Sequence, residues 1–158
     1  MAASTVNTAD LYDERGEELD SVALQFQSLG GRSHFNGPAR TIRCFEDNAL
    51  VKSTLAAPGG GAVLVVDGSG SLRTALMGDM IAASAVSNGW AGVVVNGAIR
   101  DRTAIAELPL GVKALGSNPR KSAKAGAGEL DVELEIDGVR IRPGAMIWCD
   151  PDGMLIER

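Results

Sequence analysis

Two short apolar runs near the middle of the chain give the clearest structural signal. Residues 62–66 and residues 92–96 are continuous, rich in valine and bounded by glycine, which is typical of strands buried on both faces of a sheet. Between them, residues 81–88 are rich in alanine, a strong helix former, and Asn88-Gly89 predicts where that helix ends. This order and spacing predict a βαβ unit with parallel strands and a right-handed crossover.

The rest of the hydrophobic pattern predicts shorter elements on either side of this unit. Helices are expected at residues 8–12, 48–56 and 105–108, and Thr8 or Asp10 is expected to be the N-cap of the first. Strands are expected at residues 39–45, 111–115, 132–136, 139–141, 145–149 and 154–156. Asp137-Gly138 favours a type I′ hairpin between two of them. The pattern predicts one α/β domain over residues 1–158, with a central βαβ unit and a C-terminal β-hairpin region.

Size and charge narrow the class of protein. The chain has 158 residues, which suits one hydrophobic core, and its net charge is −5 with a pI of about 4.9. Because nucleic-acid binding needs clustered Lys and Arg, we expect no direct contact with nucleic acid. A locally basic pocket would still allow the chain to bind a small acidic molecule.

The N-terminus and the cysteines favour a cytoplasmic protein. Residues 1–10 lack the basic and apolar regions of a signal peptide, and no apolar run reaches the length of a membrane span. Cys44 and Cys149 have no CxxC spacing and are expected to be reduced thiols. A Cys–His nucleophile or a zinc site is disfavoured because His34 is the one histidine in the sequence.

Polar residues follow both strands of the βαβ unit. In open α/β sheets, ligands bind beyond the carboxyl ends of the parallel strands, and adjacent strands bring their loops together. The first loop carries Asp67, Gly68, Ser69, Gly70 and Arg73 and leads to Gly78-Asp79 at the start of the Ala-rich helix. The second loop carries Asn96, Gly97, Arg100 and Asp101. The predicted site therefore contains two carboxylates (Asp79, Asp101), one or two guanidiniums and a free helix N-terminus.

Each of these groups has a chemical use. The backbone N–H groups at residues 78–81 could hold a substrate carboxylate, and Gly78 would let the ligand come close. Arg100 can grip a carboxylate or keto oxygen in a forked geometry. Asp101 is an oxygen ligand suited to Mg²⁺ or Mn²⁺, and Asp79 could deprotonate a bound water or a substrate hydroxyl.

Ordinary structural roles stay open for the same residues. Asp79 could be an N-cap alone, and Arg100-Asp101 could be a surface ion pair. Residues 67–70 lack the features of a Walker loop or a dinucleotide fingerprint, so a plain turn is favoured there. The basic run at residues 119–124 could steer a dianionic substrate towards the site, although a solvated mobile loop is the more ordinary interpretation.

These motifs resemble a known family. Residues 68–73, Gly78-Asp79 and residues 92–101 together are similar to the RraA-like family, in its branch of class II 4-hydroxy-4-methyl-2-oxoglutarate aldolases. That branch carries an Asp, twenty residues, an Arg-Asp pair and, after two more residues, an acid. Residues 30–32, 44–48 and 150–153 are also similar, so the resemblance covers nearly the whole chain. It departs at the last acid, where this chain has Ala104 and where Glu107, one turn further, is a potential substitute.

The resemblance implies a fold and a reaction. The fold is a swivelling β/β/α domain, assembled as a ring-shaped homotrimer with sites between subunits. The reaction is retro-aldol cleavage of 4-hydroxy-4-methyl-2-oxoglutarate, or the related 4-carboxy compound, to pyruvate, with a divalent metal, no Schiff-base lysine and additional oxaloacetate decarboxylation. By position, the residues that would bind substrate are Gly78, Asp79, Met80, Ile81 and Arg100. Asp79 and Arg100 would act in catalysis, and Asp101 would hold the metal through water.

The same resemblance carries a non-catalytic alternative. A regulator branch of the family binds and inhibits ribonuclease E, or acts on an RNA helicase, and it is expected to lack the carboxylate at position 101. Asp101 therefore favours an enzyme, with ribonuclease E as a possible partner. A menaquinone methyltransferase, an activity attached to relatives, is rejected because the sequence has no convincing cofactor loop followed by a ribose-binding acid.

Overall fold

A computed structural model describes residues 5–158, which form four α-helices and eleven strands. The helices are α1 (Thr8–Arg15), α2 (Ala49–Leu55), α3 (Asp79–Ser87) and α4 (Arg102–Ala106), and a 3-10 turn at Gly16–Glu18 follows the first. The strands are β1 (Leu19–Ser21), β2 (Gln27–Ser28), β3 (Phe35–Arg43), β4 (Val63–Asp67), β5 (Gly92–Ile99), β6 (Gly111–Ser117), β7 (Glu129–Leu130), β8 (Leu134–Ile136), β9 (Val139–Ile141), β10 (Met146–Asp150) and β11 (Gly153–Glu157). None of the helices within this range is long and apolar enough to span a membrane. The expectation that residues 1–10 form no leader falls partly on residues 1–4, outside the described range.

The predicted βαβ unit is the centre of the sheet. Strands β3, β4, β5 and β6 run parallel in that spatial order, and α3 connects β4 to β5. Val65 pairs with Thr41 on one side and with Val94 on the other, so β4 has neighbours along both edges. The apolar side chains of β4 are buried on both faces, which explains why its sequence reads as an unbroken apolar run.

Each face of this sheet packs against a different layer. Leu64 and Val66 join the cluster that contains Val51 of α2 and Ala82 of α3. Val63 and Val65, which point the opposite way, join the cluster formed with the C-terminal strands and the β8–β9 hairpin (Leu134, Ile136, Ile141, Ile147). The result is a layer of helices, a central sheet and a second layer of strands. The predicted β/β/α architecture is confirmed.

Antiparallel strands from the C-terminus extend the sheet at the β3 edge. β10 pairs with β3, β11 pairs with β10, and β1 covers β11. β2 pairs with β6 at the opposite end. The separate β8–β9 hairpin turns at Asp137 and Gly138, whose φ angles are 51° and 75°. Because a type I′ turn requires positive φ at both positions, the predicted hairpin is confirmed.

β3 and β5 are the strands that depart most from their predicted bounds. β3 begins at Phe35 rather than at residue 39, because Asn36, Gly37 and Pro38, which resemble a turn, pair with β10. β5 continues to Ile99 rather than ending at residue 96, and its register with β6 shifts between Val95 and Ala98. Residues 97–99, predicted as loop, are therefore a buried continuation of the strand beyond an irregularity.

The first helix has a different N-cap from either candidate. Asn7 occupies the N-cap position, and its side chain makes no capping hydrogen bond. Thr8 is instead buried as the first helical residue, and its amide and hydroxyl both donate to the carboxylate of Asp150 at 2.7 Å. The predicted caps Thr8 and Asp10 were wrong because the acceptor comes from the distant end of β10.

Candidate functional site

Backbone pairing brings the two predicted loops together beyond β4 and β5. The Leu76 amide donates to the Ala98 carbonyl at 2.8 Å, and the Arg100 amide donates to the Met77 carbonyl at 2.9 Å. The segment that leads into α3 therefore runs beside the end of β5. As a result, the start of α3 lies next to Arg100 and Asp101, and both line one cleft.

Asp101 accepts a hydrogen bond from the first amide of α3 through its side chain. Its backbone has φ 60°, a left-handed conformation that Asp adopts more readily than most residues. Its Oδ2 accepts the N–H of Asp79 at 3.0 Å. A Cβ atom on Gly78 would lie 2.8 Å from that Oδ2 and 3.3 Å from Nε of Arg100. We expected glycine to make room for the ligand here, and the structure gives that room to the Asp101 and Arg100 side chains.

The ordinary structural roles considered for these residues are not observed. Gly78 is the N-cap of α3 and Asp79 is the first helical residue, so the Asp79 carboxylate does not serve as the N-cap. Among the ion pairs within residues 5–158, none joins Arg100 to Asp101. Arg100 instead donates from Nη1 to the Pro119 carbonyl at 3.4 Å. All three side chains are exposed at the cleft.

The helix N-terminus offers fewer donors than predicted. The first turn of any α-helix leaves its amides without intrahelical acceptors, and here these include the amides of Asp79, Met80 and Ile81. Asp101 occupies the Asp79 amide. The Met80 and Ile81 amides are therefore the donors at this end that fit a ligand carboxylate. Both residues line the cleft, and the Met80 residue is 83% exposed.

The cleft has a volume of about 270 Å³ and lies between α2, α3 and the segment after β6. Its lining includes four cationic side chains, from Lys52, Arg100, Lys121 and Lys124. The two carboxylates of Asp79 and Asp101 are the acidic groups of the same lining. In a chain whose net charge is −5, this local excess of positive charge makes the cleft a suitable place for a small anion.

Asn48 is a cleft residue that the sequence did not single out. It precedes α2 and is 6% exposed. Its Oδ1 is the one buried side-chain polar atom in residues 5–158 without a hydrogen-bond partner. A buried acceptor left unpaired is costly, so an unpaired one beside a cleft indicates a place where a ligand or water donor completes the structure. Its signal in the sequence, the Asn before a helix, is shared with ordinary helix caps.

The donor set fits a hydrated divalent cation. Within residues 5–158 no group of three or more His, Cys, Asp or Glu side chains is arranged to hold a metal. Asp79 and Asp101 supply carboxylate oxygens, and Asp101 uses one oxygen for a single hydrogen bond. Mg²⁺ and Mn²⁺ bind through one or two carboxylates and keep several waters, so this pair suits them. Glu107, considered as a substitute for the missing acid at Ala104, is not among the cleft residues.

Several predicted loop residues serve the fold rather than the cleft. Asp67 Oδ1 accepts the Ser69 amide and the Asn96 side-chain amide, both at 3.0 Å. The amides of Gly68 and Gly70 both donate to the Asn96 carbonyl. Arg73, offered as a second guanidinium of the site, pairs through Nε with Glu46 at 2.7 Å instead. Residues 67–70 are thus a plain turn, as favoured above.

The cysteines are unsuited to nucleophilic chemistry. Burial raises the pKa of Cys44 to about 12, with a further contribution from the nearby carboxylates of Asp47 and Asp67. Burial likewise raises the pKa of Cys149 to about 12. His34 lies within hydrogen-bonding distance of Ser33 and Asn7, not of a thiol. The reactive species is the thiolate, so neither cysteine is activated.

Comparison with known proteins agrees with this fold. A family model described as RraA-like, Aldolase/RraA, matches residues 8–156. The chain belongs to the RraA-like family. Its solved relatives include the RNA-processing inhibitor RraA from Thermus thermophilis, which is 49% identical with a TM-score of 0.92, the match covering 99% of this chain and 93% of that one.

Other members of the RraA-like family carry different functional names. A structure from Geobacillus kaustophilus HTA426, named as an S-adenosylmethionine:2-dimethylmenaquinone methyltransferase, is 48% identical with a TM-score of 0.95, and 96% of this chain covers 94% of it. A Streptomyces coelicolor member of the RNase ES inhibitor RraA protein family is 29% identical with a TM-score of 0.75, and 98% of this chain covers 79% of it. Because one fold carries these different names, function must be argued from the site.

Proposed function

We propose that this member of the RraA-like family is a divalent-metal-dependent aldolase that cleaves 4-hydroxy-4-methyl-2-oxoglutarate to two pyruvate molecules and also decarboxylates oxaloacetate. The observation that supports this most directly is the placement of Asp79, Asp101 and Arg100 around one helix N-terminus in a cation-lined cleft. Two carboxylates, a guanidinium and free amides match the needs of an anionic keto acid whose reaction develops negative charge on oxygen.

Substrate binding would use the groups at the start of α3. The C1 carboxylate would accept hydrogen bonds from the Met80 and Ile81 amides, where the positive end of the helix dipole favours an anion. The guanidinium of Arg100 would donate to the C2 keto oxygen. This arrangement would orient the keto acid with its C4 hydroxyl towards the Asp79 carboxylate, which would then act as the general base.

Cleavage would then follow from one proton transfer and one broken bond. Asp79, directly or through a water, takes the proton of the C4 hydroxyl, the C3–C4 bond breaks, and C4 becomes the keto carbon of the first pyruvate. The electron pair of that bond forms the enolate of the second pyruvate. Arg100 stabilises the enolate oxygen, and a proton delivered to C3 completes the reaction. Oxaloacetate would lose CO₂ to give the same enolate, so one site accounts for both activities.

A divalent cation is the remaining requirement. Asp101 would hold it, with Asp79 in support through water, and the bound cation would supply Lewis-acid stabilisation of the keto oxygen. The positions of Lys52, Lys121 and Lys124 along the cleft suit the second carboxylate of a dianionic substrate. This preference separates the proposed substrates from a monocarboxylate such as pyruvate.

The deciding experiment is a pyruvate-release assay with both substrates, with Mg²⁺ or Mn²⁺ and with chelator. The variant is Asp101→Asn, because Asn tolerates the left-handed backbone and its Oδ1 can still accept the Asp79 amide. We expect chelator to abolish turnover and Asp101→Asn to lower it on the order of 100-fold. Asp13→Asn, on the exposed side of α1, is the matched control and should keep full activity. Turnover that survives both chelator and Asp101→Asn would refute the proposal.

A second function, inhibition of ribonuclease E, is favoured by two relatives: the 49% identical Thermus protein is named an RNA-processing inhibitor, and the Streptomyces protein is named a member of the RNase ES inhibitor family. If wild type turns over neither keto acid with either metal, inhibition of RNA cleavage by ribonuclease E becomes the assay of choice. Substitution of Asp101 distinguishes the two functions. Inhibition through a protein surface away from the cleft should persist in Asp101→Asn, whereas aldolase activity should not.

The methyltransferase named for the Geobacillus relative has less support here. A glycine-rich cofactor loop binds its ligand through free backbone amides. In residues 67–70 the Gly68 and Gly70 amides donate to the Asn96 carbonyl and the Ser69 amide donates to the Asp67 carboxylate, so all three amides are already occupied. We therefore do not extend that activity to this chain.

A further inference from the structure

Asp47 holds the lysine-bearing segment with an unusual number of backbone contacts. It is 3% exposed, and its carboxylate accepts four amide N–H groups. One is the Ala49 amide at the start of α2, at 3.1 Å. The others come from far along the chain, from Ala125 at 2.9 Å and from Gly126 and Ala127 at 3.3 Å. Burial raises the pKa of Asp47, but these hydrogen bonds outweigh burial and hold the pKa below its usual range.

The segment held in this way has little regular structure of its own. β6 ends at Ser117 and the next strand begins at Glu129, and most residues between are exposed. Ser122 is an exception, since it is buried, and its Oγ donates to the Ala75 carbonyl at 2.7 Å. On the α2 side, the Ala123 amide donates to the Glu46 carbonyl and the Asn48 amide donates to the Ala123 carbonyl. Asp47 completes this attachment beyond residue 123.

The residues that attach this segment to the rest of the protein lie next to Lys121 and Lys124 in the chain. Lys121 lies immediately before buried Ser122, and Lys124 lies immediately before the three amides that Asp47 binds. Both lysines line the cleft, together with Asn48, the residue after Asp47. An exposed lysine on an unrestrained loop would spread its charge over many positions, and the entropy of ordering it would reduce its contribution to binding. Here the backbone on either side is fixed before a ligand arrives.

We propose that Asp47 is a positioning residue that presets Lys121 and Lys124 for the second carboxylate of a dianionic ligand. This inference rests on the proposed function for the ligand class, and it adds a residue and a specificity to it. Asp47 does not touch the ligand; it acts through the backbone of residues 125–127. Its effect should therefore appear in the binding of dianions, and should be absent when the ligand has a single carboxylate.

The test compares Asp47→Asn with wild type. Asn has nearly the same shape, but its amide group replaces one acceptor oxygen with a donor that faces backbone N–H groups, so at least one of the loop contacts must open. We expect faster deuterium exchange at residues 121–127. By calorimetry with Mg²⁺ present, we expect the affinity for 2-oxoglutarate to fall about tenfold, while that for pyruvate stays within about twofold.

Two controls distinguish positioning from a general loss of structure. Asp150→Asn removes an equally buried carboxylate far from the cleft, and it should change neither loop exchange nor the ratio of the two affinities. In a Lys121→Ala/Lys124→Ala background, Asp47→Asn should have no further effect on 2-oxoglutarate binding, because the groups it positions are gone. An equal loss for both ligands, or an undiminished loss in the double-lysine background, overturns the proposal.

The readouts also separate this inference from the proposed function. A wild-type protein that turns over oxaloacetate but binds 2-oxoglutarate no better than its double-lysine variant would overturn the role of Asp47 and leave the aldolase intact. A wild-type protein without turnover that still shows the Asp47-dependent preference for the dianion would refute the aldolase and keep the role of Asp47.

Discussion

Asp150 and Asp101 do the same local job in two different regions of the molecule. Each accepts the first amide of a helix, Thr8 of α1 in one case and Asp79 of α3 in the other. The Asp150 residue is 4% exposed, and its carboxylate also accepts the Thr8 hydroxyl and the amides of Asp152 and Gly153. Asp101 is exposed, accepts a single hydrogen bond and lines the cleft.

The difference separates a carboxylate used for the fold from one kept for a ligand. The hydrogen-bonding capacity of Asp150 is filled by groups of its own chain, and their contacts hold its pKa low. Asp101 keeps oxygen lone pairs and open space on its ligand side, next to a guanidinium and a second carboxylate. A carboxylate whose hydrogen-bonding capacity is not filled by its own chain, and which faces a cleft, is the feature that identifies functional residues in this protein.

The largest effect on activity is expected in the cleft beside Asp101, at Arg100. Arg100→Lys keeps the charge but loses the forked pair of donors, so stabilisation of the enolate should weaken. We expect kcat/KM for oxaloacetate to fall about 10²–10³-fold with little change in the free energy of unfolding. Steady-state kinetics and urea titration on the same preparation provide the check. A variant with wild-type kinetics would remove Arg100 from the proposed site.

The opposite result, a loss of stability with little loss of activity, is expected at the buried carboxylate of Asp150. Asp150→Asn leaves at least one of its buried donors without an acceptor, which should cost about 2–3 kcal/mol of unfolding free energy. Activity measured well below the unfolding midpoint should stay within about twofold of wild type. A stable but inactive Asp150→Asn protein would show that the two carboxylates are not separated in function.

A smaller effect is expected from filling the space beside Asp101. Gly78→Ala fits the local backbone, but its Cβ would lie 2.8 Å from Asp101 Oδ2, so the carboxylate must move away from the Asp79 amide. We expect metal-dependent turnover to fall roughly tenfold while the fold remains stable. Gly116→Ala is the matched control, because its Cβ would meet Leu72 at an ordinary 3.5 Å. Equal activities of the two variants would contradict the role given to Gly78.

The smallest effect concerns the pH dependence of stability. Burial raises the pKa of Asp150, but hydrogen bonds from Thr8, Asp152 and Gly153 outweigh it and lower the pKa below its usual value. A depressed folded-state pKa stabilises the protein above the unfolded-state pKa, near 4, and this contribution is lost as pH falls through the folded-state value. The stability difference between wild type and Asp150→Asn should therefore shrink from pH 7 to pH 3 in urea titrations. A constant difference would contradict this ionic role.

Much of the fold is local enough to be predicted from sequence. The apolar runs of β4 and β5 and the Asp137-Gly138 turn each depend on residues that are neighbours in the chain, and each was placed correctly. The start of β3 was missed because Asn36-Gly37-Pro38 has the composition of a turn, and only pairing with β10 makes it a strand. The cap of α1 was missed for the same reason, since its acceptor is Asp150.

The candidate site likewise contains residues whose placement follows from the local sequence and residues whose placement depends on distant contacts. Asp79, Arg100 and Asp101 were brought together correctly, because they follow adjacent strands of one βαβ unit. The basic run that contains Lys121 and Lys124 was considered for the site, but a mobile loop was favoured, and Asn48 was not considered. Both depend on contacts between residues 46–48 and the segment after β6, which the sequence does not show. Arg73 was misplaced because its partner Glu46 lies in a different loop, 27 residues earlier in the chain.

The position of β10 between β3 and β11 has a consequence for biosynthesis. A chain leaving the ribosome would complete β3, β4, β5 and β6 early, yet the first part of β3, residues 35–38, lacks its antiparallel partner until residues 146–150 emerge. α1 also lacks its acceptor until Asp150 is made, and β1 has no partner before β11. The nascent protein therefore carries an open strand edge from the synthesis of β3 until that of β10, and α1 and β1 reach their partners only after β10 and β11 have been made.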